Sequence, residues 1–171
     1  MLRLASAFLL GIFVAWPAFA ETPEEAVAYV FLGLSDGGKL VRGPTTMGWT
    51  ESTHSPAVYA SDAIVKGHPA RITFTVTALN PCNYQIVLEG PPAIVAGQKR
   101  LFGLVSLKDV TAITIAADGF HASVVGNGFC ETGRINPSCA PMDSHDLFGP
   151  VDAAHHKASL DFLRASVCAA K

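Results

Sequence analysis

Alternation of apolar and polar side chains constrains the fold of this chain more than any other feature. Between residues 70 and 78 every second side chain is apolar and the others are arginine or threonine, and alternation resumes at residues 84–89. Because successive side chains of a strand point to opposite faces, each segment predicts a strand with one buried face. The turn-forming sequence Asn80-Pro81-Cys82-Asn83 lies between them, so an antiparallel hairpin is expected. The expected inward-facing side chains are Ile72, Phe74, Val76, Ala78, Tyr84, Ile86 and Leu88.

A second hairpin is predicted around Asp118-Gly119. A two-residue Asp-Gly connection favours the type I′ turn that joins twisted antiparallel strands. Three opposing pairs of apolar side chains would then share one face, which fixes the register. Further strands are expected at residues 101–107, 47–53 and 56–60. The predicted opposing pairs are Ala117 with Phe120, Ile115 with Ala122, and Ile113 with Val124.

Helices are predicted before and after this strand-rich region. Thr22-Pro23-Glu24-Glu25 has the pattern of a capping box, and Asp36-Gly37-Gly38 supplies a stop, so a helix is expected over residues 23–35. A second helix is expected from near residue 150 to about residue 169. The apolar stripes at helical spacing are Val27, Val30, Phe31 and Leu34 in the first helix, and Leu160, Leu163 and Val167 in the second.

The order helix, four to seven strands, helix predicts an α+β fold. We expect an antiparallel β-sheet flanked by an N-terminal and a C-terminal helix and stapled by disulfides. Residues 21–171 are expected to form a single domain, because about 150 residues can bury roughly 68–70% of their unfolded surface.

The first 20 residues have the pattern of a secretory signal peptide. Arg3 is followed by an apolar run over residues 4–16, and Ala18 and Ala20 occupy the −3 and −1 positions before Glu21. A spanning helix needs about 17–25 apolar residues, so we expect cleavage and no stable membrane insertion afterwards. The expected location is periplasmic or secreted.

The four cysteines of the chain are expected to form two disulfides if the protein is exported. In an oxidising compartment an even number of cysteines is interpreted first as disulfides, although four cysteines allow three connectivities. We favour the pair Cys130 and Cys139, which would close a short loop, together with Cys82 and Cys168. A catalytic thiol at Cys130 or Cys139, with His121 or His145 as base, would require an unpaired cysteine.

Charge and motifs narrow the classes of function. The chain has 12 Lys and Arg against 14 Asp and Glu, and without residues 1–20 its formal net charge changes from −2 to −3 because Arg3 is removed. No basic stripe is present, so nucleic acid is not an expected partner. The G-x-S-x-G, H-E-x-x-H, C-x-x-C and P-loop motifs are absent from the sequence. We therefore expect no cofactor and name no catalytic residue. A non-catalytic protein is favoured over an enzyme.

One alternative is a small metal-binding or metal-dependent hydrolytic protein. Asp152 and His156 lie one helical turn apart on the expected last helix, and His145 and Asp146 precede it closely. A hydrolytic carboxylate pair is harder to predict, because nothing in the sequence sets a separation between any two acidic residues. The acidic residues considered for such a pair are Glu51, Glu89, Asp109 and Glu131.

The favoured interpretation is an exported, non-catalytic binding module for an unknown protein or small-molecule ligand. Residues 126–149 are rich in Gly, Pro, Asn, Ser and Asp and predict a long loop, and long ordered loops tend to be functional. Its candidate recognition residues are Arg134, Met142 and Phe148, although Phe148 is more readily explained as a core plug before the last helix. A further option is a carrier of an apolar ligand, which would need a cavity between the apolar sheet face and the helices.

Overall fold

A computed structural model describes residues 21–42, 45–65, 68–92, 100–132 and 139–169. The predicted signal peptide, residues 1–20, lies outside these ranges, as does the candidate recognition residue Arg134. The elements in chain order are α1 (Pro23–Leu32), β1 (Lys39–Arg42), β2 (Thr45–Gly48), β3 (Thr50–His54), β4 (Ala57–Val65), β5 (His68–Asn80), β6 (Asn83–Glu89), β7 (Arg100–Ser106), β8 (Val110–Ile115), β9 (His121–Gly126), β10 (Phe129–Glu131), β11 (Ala140–Pro141), β12 (Ser144–Asp146), α2 (Ala153–Phe162) and a π-helical segment (Leu163–Cys168).

The strands form three antiparallel sheets. The largest has seven strands in the order β11-β10-β7-β6-β5-β4-β3, so β3 to β7 follow one another as a meander. A three-stranded sheet has the order β12-β9-β8, and β1 pairs with β2. The expected combination of antiparallel sheet and two helices is confirmed at this level. The described residues contain twelve strands, more than the four to seven predicted, because several are too short for a periodic signal.

The hairpin predicted from the alternation is present as β5 and β6. In its register Phe74 opposes Leu88 and Val76 opposes Ile86. These four side chains are buried, as are those of Ile72 and Tyr84, while Ala78 near the end of β5 is exposed. The inward face of this hairpin supplies the centre of the core.

Strands β8 and β9 pair in the predicted register, but their turn is wider than predicted. The Gly119 N–H donates to the Ala116 carbonyl at 2.9 Å, and Gly119 has a φ of 73°. The side chain of Asp118 accepts the N–H of Phe120 at 2.9 Å, which favours this conformation. The predicted two-residue turn is therefore wrong. The predicted pairs that the structure contains are Ile113 with Val124 and Ile115 with Ala122.

Helix α1 begins as predicted and ends earlier. Thr22 and Glu25 form the expected capping box, and Gly33 ends the helix in the left-handed conformation with a φ of 68°. Every side chain from Ala26 to Leu32 is buried, so the helix has no solvated face. It contacts β4 and β5 and also α2 and the π-helical segment. The predicted single apolar stripe is therefore corrected to a helix enclosed by the core, consistent with a segment that is apolar all round.

The second helix and the region before it also differ from their predicted extents. Asp152 caps α2, whose helical residues begin at Ala153, and the last turns are π-helical. Leu160 and Leu163 are buried as expected. The sequence predicts one long loop over residues 126–149, but the described part of this range contains β10, β11 and β12. Two-residue and three-residue strands paired with distant segments leave no local alternation to detect.

Both cysteine pairs that the sequence favoured lie at disulfide distance. The Cα atoms of Cys82 and Cys168 are 4.7 Å apart, and those of Cys130 and Cys139 are 5.2 Å apart. With no cysteine left free, the alternative of a cysteine nucleophile is contradicted. Within the described ranges, neither helix combines the length and apolar character needed to span a bilayer.

Candidate functional sites

The residues considered for a metal site are engaged in separate structural contacts. The Nε2 atom of His145 donates to the carbonyl of Phe31, and that of His156 donates to the carbonyl of Val30 at 3.2 Å. Asp152 accepts the N–H of His155 at the start of α2. The Oδ1 atom of Asp146 lies 3.2 Å from the Nε2 atom of His121. The described residues do not bring these four candidates together as a ligand set, so the expected metal site near His145, Asp152 and His156 is corrected.

His145 and His156 instead provide hydrogen-bond donors to carbonyl groups at the buried C-terminal end of α1. The last four carbonyls of a helix have no partner within it. Here the carbonyl of Tyr29 accepts the N–H of Gly33 at 2.9 Å, and that of Leu32 accepts the N–H of Phe148 at 2.7 Å. The two intervening carbonyls, of Val30 and Phe31, are those that His156 and His145 bind. Burial lowers the pKa of both histidines.

An apolar cleft of about 280 Å³ lies over the inward face of the large sheet. Its base is formed by residues of β5, β6 and β7, and its other walls by the end of α1, by β10 and by residues 142–148. We call it the apolar cleft. Its apolar side chains are Leu32, Phe74, Ile86, Leu88, Phe129, Met142 and Phe148.

Two of the three candidate recognition residues line the apolar cleft. Phe148 is half-buried, and its ring centroid lies 4.6 Å from that of Phe74. Its carbonyl accepts the indole N–H of Trp49 at 2.7 Å, which fixes the backbone at the cleft wall. Met142 is also half-buried and packs against the core. The segment therefore directs these two side chains toward the cleft.

Three polar residues also line the apolar cleft. They are Glu131, His145 and Asp146, and burial raises the pKa of the Glu131 carboxyl. The Nδ1 atom of His145 is buried and has no hydrogen-bond partner among the described residues. The ring of His145 packs on Phe129 with centroids 4.6 Å apart, so its orientation is fixed from both sides.

A second cleft, of about 390 Å³, is different in chemistry. It lies where the N-terminal end of α1 meets β3, β4 and the start of α2. Among its described lining residues there is no lysine or arginine. We call it the acidic cleft, because four carboxylates line it: Glu21, Glu25, Asp36 and Glu51.

Three side chains converge within the acidic cleft. The Nδ1 atom of His54 lies 2.7 Å from Glu25 Oε1 and 3.4 Å from Glu51 Oε2. One ligand atom from each of the three side chains lies within 4.8 Å of the other two. We call these three residues the Glu-Glu-His cluster. Its neighbour Tyr59 has a raised pKa because it is buried and lies beside the charge of Glu51.

The two carboxylates of the cluster have pKa values shifted in opposite directions. Burial, and then the charge of Glu25, raises the pKa of Glu51. Burial would also raise the pKa of Glu25, but hydrogen bonds from Thr22 and His54 outweigh it and lower the pKa. The hydrogen bond to Glu25 and the charge of Glu51 raise the pKa of His54. Opposite shifts in adjacent carboxyls are typical of functional sites as well as of structural networks.

Sequence reasoning missed this cluster for a geometric reason. Glu51 was one of several acidic residues considered, Glu25 was assigned only to the capping box, and His54 was not singled out. Residues 51 and 54 would face opposite sides of a regular strand, since their separation is odd. In β3 the register shifts between Glu51 and Thr53, and this bulge brings both side chains to the same side. The local sequence offered only Glu51 and His54, three residues apart, and nothing that joined them to Glu25.

Comparisons with known proteins assign no function to either cleft. Family models, curated proteins and solved structures were compared with this chain, and none matches it. The function of this chain is therefore inferred from its own side chains.

Proposed function

We propose that this chain is an exported, non-catalytic binding domain that holds a small, mostly apolar molecule in the apolar cleft. The observation that carries the proposal is a concave site lined by seven apolar side chains and only three polar ones, Glu131, His145 and Asp146. Ligand sites are typically concave and apolar, with a few polar groups that fix the orientation of the ligand.

The size of the cleft limits the ligand. An engineered apolar cavity of about 150 Å³ holds one benzene molecule. A cleft of about 280 Å³ is less than twice that volume, and it is also partly open. It suits a molecule of one or two rings, or an aliphatic chain of similar bulk.

The polar lining residues favour a ligand with a hydrogen-bond donor. Two of them, Glu131 and Asp146, are acidic, with Asp146 Oδ1 3.2 Å from His121 Nε2, and neither Lys nor Arg is among the described lining residues. A hydroxyl or amine would meet acceptors here, while a carboxylate would meet like charge. We expect alcohols, phenols or amines to bind more tightly than acids of the same shape.

Export is part of the proposal. The signal-peptide pattern of residues 1–20 supports it, and so do the two disulfides, since disulfides persist chiefly in oxidising compartments. A location in the periplasm or outside the cell would expose the cleft to small molecules there. Met142 and Phe148, with Arg134 nearby in the sequence, remain the proposed recognition residues.

The test is to fill the cleft from its base. A Cβ atom at Gly103 would meet its nearest neighbours at 3.5–3.7 Å, which is ordinary van der Waals contact. Gly103→Val therefore adds apolar bulk to the base while keeping a strand-forming residue in β7. Binding of 1-naphthol, an uncharged fluorescent probe with two rings and one hydroxyl group, is measured for the wild type and the variant. Gly48→Val in β2 is the matched control, because a Cβ there meets nothing within 4 Å.

We expect Gly103→Val to weaken probe binding about tenfold or more, corresponding to at least about 1.4 kcal/mol. The Gly48→Val control should bind like the wild type. Equal binding by both variants, with unchanged melting temperatures, would contradict the assignment of the ligand to this cleft. Absence of probe binding by the wild type would contradict it too.

A further inference from the structure

We infer that the Glu-Glu-His cluster is a binding site for a divalent transition-metal ion of the zinc type. Its ligands are Glu25, Glu51 and His54. The apolar cleft shares none of its lining residues with the acidic cleft, so this inference does not depend on the proposed function.

The donor set and its spacing fit such an ion. Imidazole nitrogen and carboxylate oxygen are both common zinc ligands, with bonds of about 2.0–2.2 Å, and ligand atoms in a tetrahedral site lie about 3.3 Å apart. The His54 Nδ1 atom is already 2.7 Å from one carboxylate oxygen and 3.4 Å from the other. Small side-chain movements would place all three around one ion, with the metal replacing the proton shared between them.

Glu51 provides an independent observation. Its side chain is only 8% exposed and the carboxyl interacts with the Tyr59 hydroxyl, yet its Oε1 atom is buried without a hydrogen-bond partner among the described residues. A carboxylate oxygen removed from water without a partner is costly unless a positive charge compensates it. A bound cation would compensate the carboxylate as a whole, because Glu51 lines the acidic cleft and its other oxygen, Oε2, lies 3.4 Å from His54 Nδ1.

The surroundings of the cluster favour a cation over an anion. Glu21 and Asp36 also line the acidic cleft, so its charged lining is mainly negative. Such a concentration of one sign of charge raises the local concentration of counter-ions. The side chain of His54 is 71% exposed, which gives an ion a route from solvent. Three protein ligands would leave a coordination position open to water.

The backbone already positions two of the three ligands. Glu25 accepts the N–H of Thr22 through Oε2 at 2.5 Å, which leaves Oε1 for the cluster. The N–H of Glu51 donates to Asp36 at 2.9 Å, which holds that part of β3 against the cleft. Little ordering of these two residues would therefore accompany metal binding.

The experiment is a calorimetric titration of the purified full chain with zinc chloride near pH 7, after removal of metal with a chelator. The variants are Glu51→Gln, which preserves shape and removes charge, and His54→Ala, which alters an exposed side chain. His155→Ala is the control within the same cleft, since His155 lines it but lies outside the cluster. Melting temperatures measured in chelator show that each variant folds.

We expect one zinc ion per wild-type chain, and in both ligand variants a loss greater than the roughly 10–100-fold that follows removal of an outer-shell partner. His155→Ala should bind like the wild type. Cobalt used in place of zinc should give a visible absorption that His54→Ala lacks. No heat with the wild type, or wild-type affinity in a folded His54→Ala protein, would overturn the assignment. Loss of binding in His155→Ala alone would overturn the choice of ligands.

Discussion

His145 and His156 lie on different segments but have the same task, because each ring donates a hydrogen bond to a carbonyl near the C-terminal end of α1. The sequence hypothesis treated them as possible metal ligands. A buried helix end needs hydrogen-bond donors, since each buried carbonyl without a partner lowers the free energy of unfolding by about 1–3 kcal/mol. A neutral imidazole meets that demand with one N–H.

These histidines should make stability depend on pH. Their folded-state pKa values lie below the ordinary value of 6.5 because both rings are buried. The charge of Asp146 partly offsets this lowering for His145. The charge of His155 adds to it for His156. As the pH falls below about 6.5, the unfolded chain binds protons that the folded chain does not, so the free energy of unfolding decreases. Above that pH their contribution is fully present.

The measurement is urea unfolding of the wild type, His145→Gln and His156→Gln between pH 8 and pH 5. Glutamine can donate to the same carbonyl and does not titrate. Each variant should lose less stability than the wild type over this range. His54 has a raised pKa, so its contribution to the free energy of unfolding changes with pH in the opposite direction, and it does so equally in all three proteins. A wild-type slope retained by both variants would contradict the assigned role.

At the scale of elements, α1 depends on how closely another segment approaches it. Gly33 ends the helix, and Gly149 crosses beside it before α2 begins. A Cβ atom at Gly149 would lie 2.3 Å from the Gly33 carbonyl oxygen, and one at Gly33 would lie 2.5 Å from the Gly149 carbonyl oxygen. Only glycine at both positions lets the two backbones pass at this distance.

Gly149→Ala should therefore be destabilising. The added methyl group would push the segment after β12 away from α1, and overpacking of this kind typically costs about 1–3 kcal/mol. Gly48→Ala is the control, since a methyl group there contacts nothing within 4 Å. Thermal and urea unfolding should separate the two variants. Equal stability would show that the crossing relaxes without cost.

The elements also show which parts of the fold can be predicted from sequence. The β5–β6 hairpin follows from alternation over two adjacent segments, and the start of α1 follows from local capping chemistry. The full burial of α1 was indicated by its uniformly apolar residues 26–32, but a stripe was expected. The bulge in β3 depends on pairing with β4, so local sequence could not predict it or the cluster that it creates.

At the scale of the whole molecule, the two disulfides should contribute unequally to stability. Cys82 and Cys168 are 86 residues apart, whereas Cys130 and Cys139 are 9 apart. In the loop-entropy model these closures raise the free energy of the unfolded chain by about 4.6 and about 2.7 kcal/mol, respectively. The connectivity was favoured from sequence because one close pair and one distant pair fit the expected elements.

Replacing each pair with alanines tests this difference. The variant without Cys82 and Cys168 should lose more unfolding free energy in urea than the variant without Cys130 and Cys139. Non-reducing peptide mapping confirms which bridge remains in each protein. The reverse order of stability would mean that native packing around the short loop outweighs chain entropy.

The longer bridge also determines how the molecule would respond to tension on its C-terminus. Because Cys168 is joined to Cys82, a pull on the last residues is transmitted to the β5–β6 turn without passing through α2. The 86 intervening peptide units, about 300 Å of contour length when extended, cannot lengthen the chain until the sulfur bond is reduced. A translocating or proteolytic machine that grips this end would therefore draw first on the strands of the large sheet.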